Sequence, residues 1–215
     1  MNTQRLLALL ACALLTLTAS AQQMPQDNWR YDGLQFGSPT TGNSLSSIAT
    51  GSGGVYAGEY NGGGYPTNIL QFTEHGVFVR RFSATLNTIS GIACDSSGNV
   101  YVFDSGDSKV KVFDQNGVFV RQWGTVGSGD GQFGAGPYGY LQMIAVDKNS
   151  QVYVCDPGNT RVQVFDSNGN FLRKWGQQGN LPGQFSANRP TAVFVSKNGS
   201  VYTDLKIFDN TGNYQ

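Results

Sequence analysis

Histidine is almost missing from this chain of 215 residues, which has His75 alone. Metal and general-base sites need partners converging on an imidazole, so a histidine-built centre is excluded as the working reading. Charge is also scarce: 14 basic and 14 acidic residues make up 13% of the chain and cancel. No clustered basic excess exists, which argues against nucleic acid as a partner. Cysteine is limited to Cys12, Cys94 and Cys155, too few for a disulfide scaffold. Apolar spacing at helical period is lacking too, and beyond the N-terminus so is any long apolar run.

What is there begins with "MNTQRLLALLACALLTLTASA", an early cation, an apolar run and the small-residue site Ala19-Ser20-Ala21. This reads as a secretory signal peptide over residues 1–21, cleaved near Ala21, with a secreted or periplasmic product and no membrane attachment thereafter. Leu9-Leu10-Ala11-Cys12 also resembles a lipoprotein box, but the apolar run continues past Cys12. Loss of Arg5 leaves 13 basic residues against 14 acidic ones, a net charge of about −1. Of the two remaining cysteines, a bridge between Cys94 and Cys155 is one reading. Two small buried hydrophobes is the better one, because they occupy different positions of the repeat described next.

The rest of the chain repeats itself. "VYVFDSGDSKVKVFDQNGVFVRQWG" from Val100 to Gly124 returns as "VYVCDPGNTRVQVFDSNGNFLRKWG" from Val152 to Gly176. Shorter echoes flank both, and the tyrosines Tyr56, Tyr101, Tyr153 and Tyr202 recur about every 45 to 52 residues. Period-two alternation in "VKVFD" and "VQVFD" reads as strand, with Lys111 and Gln163 on the opposite face from the valines. Asp/Asn/Gly links such as "DSSGN" and "DQNG" read as hairpin turns. Each copy is therefore a four-stranded antiparallel meander that must stack on its neighbours to bury both faces. The expected fold is all-β: a lead-in over 22–46, then blades at approximately 47–83, 90–124, 142–176 and an incomplete 191–215. This is a β-propeller of about three and a half blades.

The segment from Val152 to Gly176, with Asp156, Asn159, Arg161 and Val162 in signature positions, resembles the NHL-repeat family of β-propellers, in a secreted bacterial-type and apparently incomplete version. Copy two departs, with Asp107 and Lys109 where Asn and Arg would stand. Copy four has six residues from Tyr202 to Phe208 where copies two and three have twelve. The resemblance implies rings of about six blades, so the C-terminal end reads as cut. Two uncovered blade faces would follow, and with them either self-association that completes a ring or a marginal, aggregation-prone chain.

Meander geometry puts the second-to-third and fourth-to-first links at one end, making that loop face the expected binding surface. Asp107, Lys109, Tyr138, Tyr140, Asn159, Arg161 and Arg189 are its candidate ligand-binding residues, each of which also reads as an ordinary turn or solvated loop residue. No catalytic residue and no metal ligand is nominated. Asp95, Asp104, Asp114, Asp147, Asp156 and Asp166 recur at equivalent repeat positions, as turn-stabilising residues do. His75 sits in "TEHG", where other copies place Asn116, Asn168 and Thr211, and so reads as a turn residue. Arg80-Arg81, Arg121 and Arg173-Lys174 form a cationic stripe on fourth strands. The functional expectation is an exported, non-enzymatic binding module for a protein or glycan. No cofactor is called for, although the residues do not forbid a divalent cation such as calcium. The alternatives are a fragment of a six-bladed hydrolase or lyase with a divalent cation in the central channel, and a truncated product with no independent function.

Overall fold

A computed structural model describes residues 30–31, 34–35, 45–60, 66–83, 86–134, 143–186, 189–204 and 206–215. The signal sequence, most of the lead-in, Tyr138 and Tyr140 lie outside them.

Four small sheets form a β-propeller arrangement of four blades. Blade one comprises β1 (Leu45–Gly51), β2 (Gly54–Tyr60), β3 (Pro66–Phe72) and β4 (Phe78–Phe82). Blade two comprises β5 (Ile89–Cys94), β6 (Val100–Asp104), β7 (Lys109–Phe113) and β8 (Phe119–Trp123). Blade three comprises β9 (Ile144–Val146), β10 (Val152–Asp156), β11 (Arg161–Phe165) and β12 (Phe171–Trp175). Blade four has three strands: β13 (Phe194–Val195), β14 (Val201–Thr203) and β15 (Lys206–Phe208). Every blade is an antiparallel meander in chain order. The innermost strands meet in the same order, β1 on β5, β5 on β9 and β9 on β13.

The hairpins form for local reasons. Asp95, Asp114, Asp147, Asp166 and Asp209 each accept, through Oδ1, the backbone N–H groups two and four residues ahead at 2.8–2.9 Å. An aspartate there satisfies two donors that the reversing backbone would otherwise strand. Blade four keeps only a rudiment of an outer strand: Phe208 bridges to Tyr214, and Gln215 N–H donates to the Ile207 carbonyl. The missing signature loop becomes a two-residue hairpin, with Thr203 paired to Lys206 and Asp204 at φ 40°.

Burial is between blades, as the repeat requires. Tyr101, Phe103, Val110 and Val112 of blade two pack against Ile144, Val152, Val154 and Phe165 of blade three, with Phe133 from the link inserted among them. Tyr153, Cys155, Val162 and Val164 repeat this toward Phe185, Val193, Val201 and Phe208. Each fully buried aliphatic or phenylalanine side chain is worth about 1.5–3 kcal/mol over exposure, so these seams carry the fold.

A second joint runs around the rim. The hairpin glycines Gly117, Gly169 and Gly212 sit against the rings of Phe82, Trp123 and Trp175 from the preceding blade, so close that an added Cβ would fall within 2.6–2.8 Å of a ring carbon. Beside them the arginine stripe reaches across. Arg80 donates to the Asn116 carbonyl, Arg121 to Ser167 and Arg173 to Asn210, each in the next blade's hairpin. The outer-strand cations therefore lock neighbouring blades, a role beyond guarding a sheet edge.

Candidate functional site

One acid in each blade organises the loop end. Glu59, Asp104 and Asp156 stand three residues after the blade tyrosine, at or near the end of the second strand, and all three are fully buried. In the shortened fourth blade Asp204, two residues after Tyr202 and half-buried, takes this role. Asp104, Asp156 and Asp204 sit where the link preceding their blade arrives, so each can accept that link's backbone N–H groups. Asp104 accepts from Asn87 and Thr88 at 2.8 Å, Asp156 from Gly134 at 2.8 Å and Asp204 from Thr191 at 3.3 Å.

The cation that neutralises the acid comes from a different place each time. Glu59 pairs with Arg81 of β4 at 2.8 Å, Asp104 with Lys111 of β7 at 2.7 Å, Asp156 with Arg161 of β11 at 2.8 Å, and Asp204 with Arg189 of the preceding link at 3.3 Å. A buried carboxylate without a partner is costly, so the position demands some cation and leaves its origin free.

In blade three the network reaches furthest. Arg161 Nε bonds Asp156, while its terminal nitrogens donate to the carbonyls of Ser128, Gly129 and Gln132 at 2.8–2.9 Å. Asn159 Nδ2 adds Gly127 O and Asp156, and the Gln163 side chain bonds Gln132 O, Gly131 N–H and Asp156. Together they pin a strap, Thr125–Phe133, whose ends pair in parallel. The strap Gln177–Phe185 repeats this build, with Gly179 N–H on the Phe185 carbonyl as Gly127 N–H is on Phe133. Phe133 and Phe185 are the buried plugs.

This geometry separates the predicted residues. Asp107 is half-buried beside Lys111, 2.6 Å away, and also accepts from Asn87. Burial raises its carboxyl pKa, but hydrogen bonds from Lys111 and Asn87 outweigh this and hold it below the usual value. Lys109 opens β7 and is half-buried; the cation that enters the network is Lys111, two residues on. Asn159 and Arg161 converge on Asp156 and face the strap rather than solvent, with Arg161 buried. Arg189 is exposed and bridges Thr191 and Asp204. Sequence reasoning passed over Val126 and Leu181, which protrude from the straps at 58% and 65% exposure. Their signal was an apolar letter in a glycine-rich, polar loop. Asp130, paired with Lys174, completes the exposed strap surface.

The acids are spent. Asp104 takes four donors, from Asn87, Thr88, Gly106 and Lys111, and Asp156 takes four, from Gly134, Asn159, Arg161 and Gln163. A carboxylate offers about four acceptor positions, so the protein's own donors fill these two. Among the described residues, no group of three or more His, Cys, Asp or Glu is placed to hold a metal ion, and no helix is long and apolar enough to cross a membrane. His75 lies exposed near Glu74 in its hairpin.

No protein-family profile matches the chain. It is 28% identical over 151 residues to Protein brain tumor of Drosophila melanogaster, covering 66% of this chain and 13% of that protein. It is 33% identical over 99 residues to the E3 ubiquitin-protein ligase NHLRC1 of Rattus norvegicus, covering 46% of this chain and 24% of that protein. The chain is similar to NHL-repeat proteins. The match thus spans well under a third of either relative. Among solved structures, a protein of unknown function from Bacteroides caccae superposes with a TM-score of 0.49 at 14% identity, over 78% of this chain and 54% of that one. Asn159 and Arg161 staple blade three's second-to-third loop to the strap before it.

Proposed function

We propose that this chain is an exported, non-enzymatic binding module whose long-loop face engages a protein or glycan partner. The observation that supports this reading is the pinned strap: Asp156, Asn159, Arg161 and Gln163 hold its backbone from within, leaving Val126 and Asp130 outward. Binding residues concentrate on loops fixed by a rigid scaffold, and a loop ordered beforehand loses little entropy on binding. Leu181 on the second strap and Arg189 beyond it extend the surface, mixing apolar tips with both charge signs. Aliphatic tips between charges suit a protein surface with an apolar centre and polar rim, and Asp130 and Arg189 offer the polar contacts that a glycan needs. Export is part of the proposal and rests on the leader at 1–21, where mass spectrometry of the chain recovered outside the cytoplasm should find a new N-terminus near residue 22.

The test compares the native chain with a Val126→Asp/Leu181→Asp variant. Both are used to capture partners from the medium or periplasm of the producing cell, and a protease-treated arm separates protein from glycan. Capture lost in the variant, with an unchanged melting temperature, supports the loop face. Equal capture by both overturns it.

A further inference from the structure

Blade one has no blade before it among the described residues, yet the face it turns that way is covered. Ala57, Leu70 and Phe72 are 1%, 0% and 3% exposed, with Ile48 and Val55 half-buried beside them, and the cluster consists of blade-one residues alone. The counterparts of Ala57 and Phe72 are Val102 and Phe113 in blade two, which lie against blade one, and Val154 and Phe165 in blade three, which lie against blade two. The hairpin glycine repeats the pattern. Gly117, Gly169 and Gly212 each lie under the aromatic ring that ends the preceding outer strand, Phe82, Trp123 or Trp175. Gly76 is their equal in blade one, with φ 80° and buried. Something other than a blade therefore occupies this side.

We infer that the chain's own lead-in is the cover, with Trp29 lying over Gly76 and Phe36 against Phe72. Blades three and four are entered through one sequence pattern: a tryptophan that closes the outer strand, a polar loop, then a Gln-Phe pair, from Trp123 to Gln132-Phe133 and from Trp175 to Gln184-Phe185. The lead-in spells it once more, from Trp29 to Gln35-Phe36. In the two later links the tryptophan packs on the next hairpin's glycine, and the phenylalanine packs on the next blade's third strand, Phe133 on Phe165 with ring centroids 6.0 Å apart and Phe185 on Phe208 at 5.7 Å. In blade one those places belong to Gly76 and Phe72. Trp29 and Phe36 themselves lie outside the described residues, flanking Arg30 and Gln35, and this pair has the required closure. Arg30 pairs with Gln35 just after the tryptophan, as Thr125 pairs with Gln132. With seven residues from Trp29 to Phe36 in place of ten, the lead-in closes as a tight antiparallel hairpin rather than a parallel strap. A terminal cap of this kind lets a stack of repeats end without a bare apolar face. The blade face expected to be uncovered on this side is closed by the chain itself.

The test places the photoreactive residue p-benzoyl-phenylalanine at position 29 of the full chain, a position kept whether or not the leader is removed. Irradiation of the purified protein, followed by peptide mapping, should give an adduct within the hairpin 73–77 at the mass of one chain. An adduct on another blade, an adduct at the mass of two chains, or none at all would overturn the inference. Trp29→Ala and Phe36→Ala should each lower the melting temperature by at least about 4 °C in a chain of this size. Unchanged melting of both variants would also overturn it, because a lead-in that touches nothing can be truncated freely. Should either variant fail to fold, Trp29→Leu or Phe36→Leu takes its place, and the cross-link decides independently.

Discussion

Asp156 and Arg161 face each other across the end of the β10–β11 hairpin, Nε to Oδ2 at 2.8 Å, with both side chains almost wholly withdrawn from water. Removing one partner leaves the other charge buried and uncompensated. Arg161→Met is expected to cost about 3–5 kcal/mol, read as a lower urea midpoint. Adding Asp156→Asn should return part of the loss, because it removes the stranded charge. An unshifted midpoint for Arg161→Met would show that the pair is not the staple described.

The blade tyrosines should fall into two groups. Tyr101→Ala and Tyr153→Ala each empty a fully buried site and should cost about 3–5 kcal/mol. Tyr202→Ala, on the partly exposed face, should cost less than about 1 kcal/mol in the monomer. Thermal melts at a concentration too low for association will separate them, and equal losses at all three positions would contradict the burial pattern.

Alkali should unfold the protein through the same rings. Burial, then the charge of Asp147, pushes the Tyr153 hydroxyl up to about 12, against an opposing pull from Arg173. Burial and Asp95 raise Tyr101 too. A raised pKa means the folded state keeps its proton where the unfolded chain has lost it. The contribution is whole below pH 10, the ordinary tyrosine value, and is lost as pH climbs toward 12. Phenolate absorbance and near-UV dichroism should therefore change together in that window. Ionisation of every tyrosine near pH 10 with the fold intact would refute the claim.

Two glycines with the same backbone angle offer a controlled comparison. Gly169 has φ 90° and lies against Trp123, where a Cβ would sit 2.6 Å from the ring; Gly199 has φ 92° and nothing nearer than 3.8 Å. Gly199→Ala should cost only the left-handed penalty of about 1–2 kcal/mol. Gly169→Ala should add about 1–3 kcal/mol of overpacking and shift Trp123 fluorescence. Equal costs would mean that the rim joint is loose.

Both cysteines of the blades are free. Burial, with Asp95 second, pushes the Cys94 thiol up to about 12, and burial pushes Cys155 well above its ordinary value. Since the thiolate is the reactive form, alkylation at pH 8 followed by peptide mapping should label neither in the folded protein and both in urea. Rapid labelling of the folded chain would show that these seams open.

The strand pattern, hairpins and blade count were legible in the sequence because their causes are local. An aspartate bonding N–H groups two and four residues ahead writes its own signature, and a valine alternating with a polar residue declares a strand. Stacking followed from the need to cover two apolar faces, so Tyr101 and Tyr153 could be placed in the core before any coordinates. The loop end was different. Whether Lys109 or Lys111 would meet Asp104, that Arg161 would be consumed by carbonyls some thirty residues away, and that Arg189 would answer Asp204 depend on which backbone arrives beside each buried acid. The acid's demand for a cation is chemistry that the sequence carries. Which cation supplies it is settled by distance, and distances between segments far apart in the chain exist only once the blades have stacked.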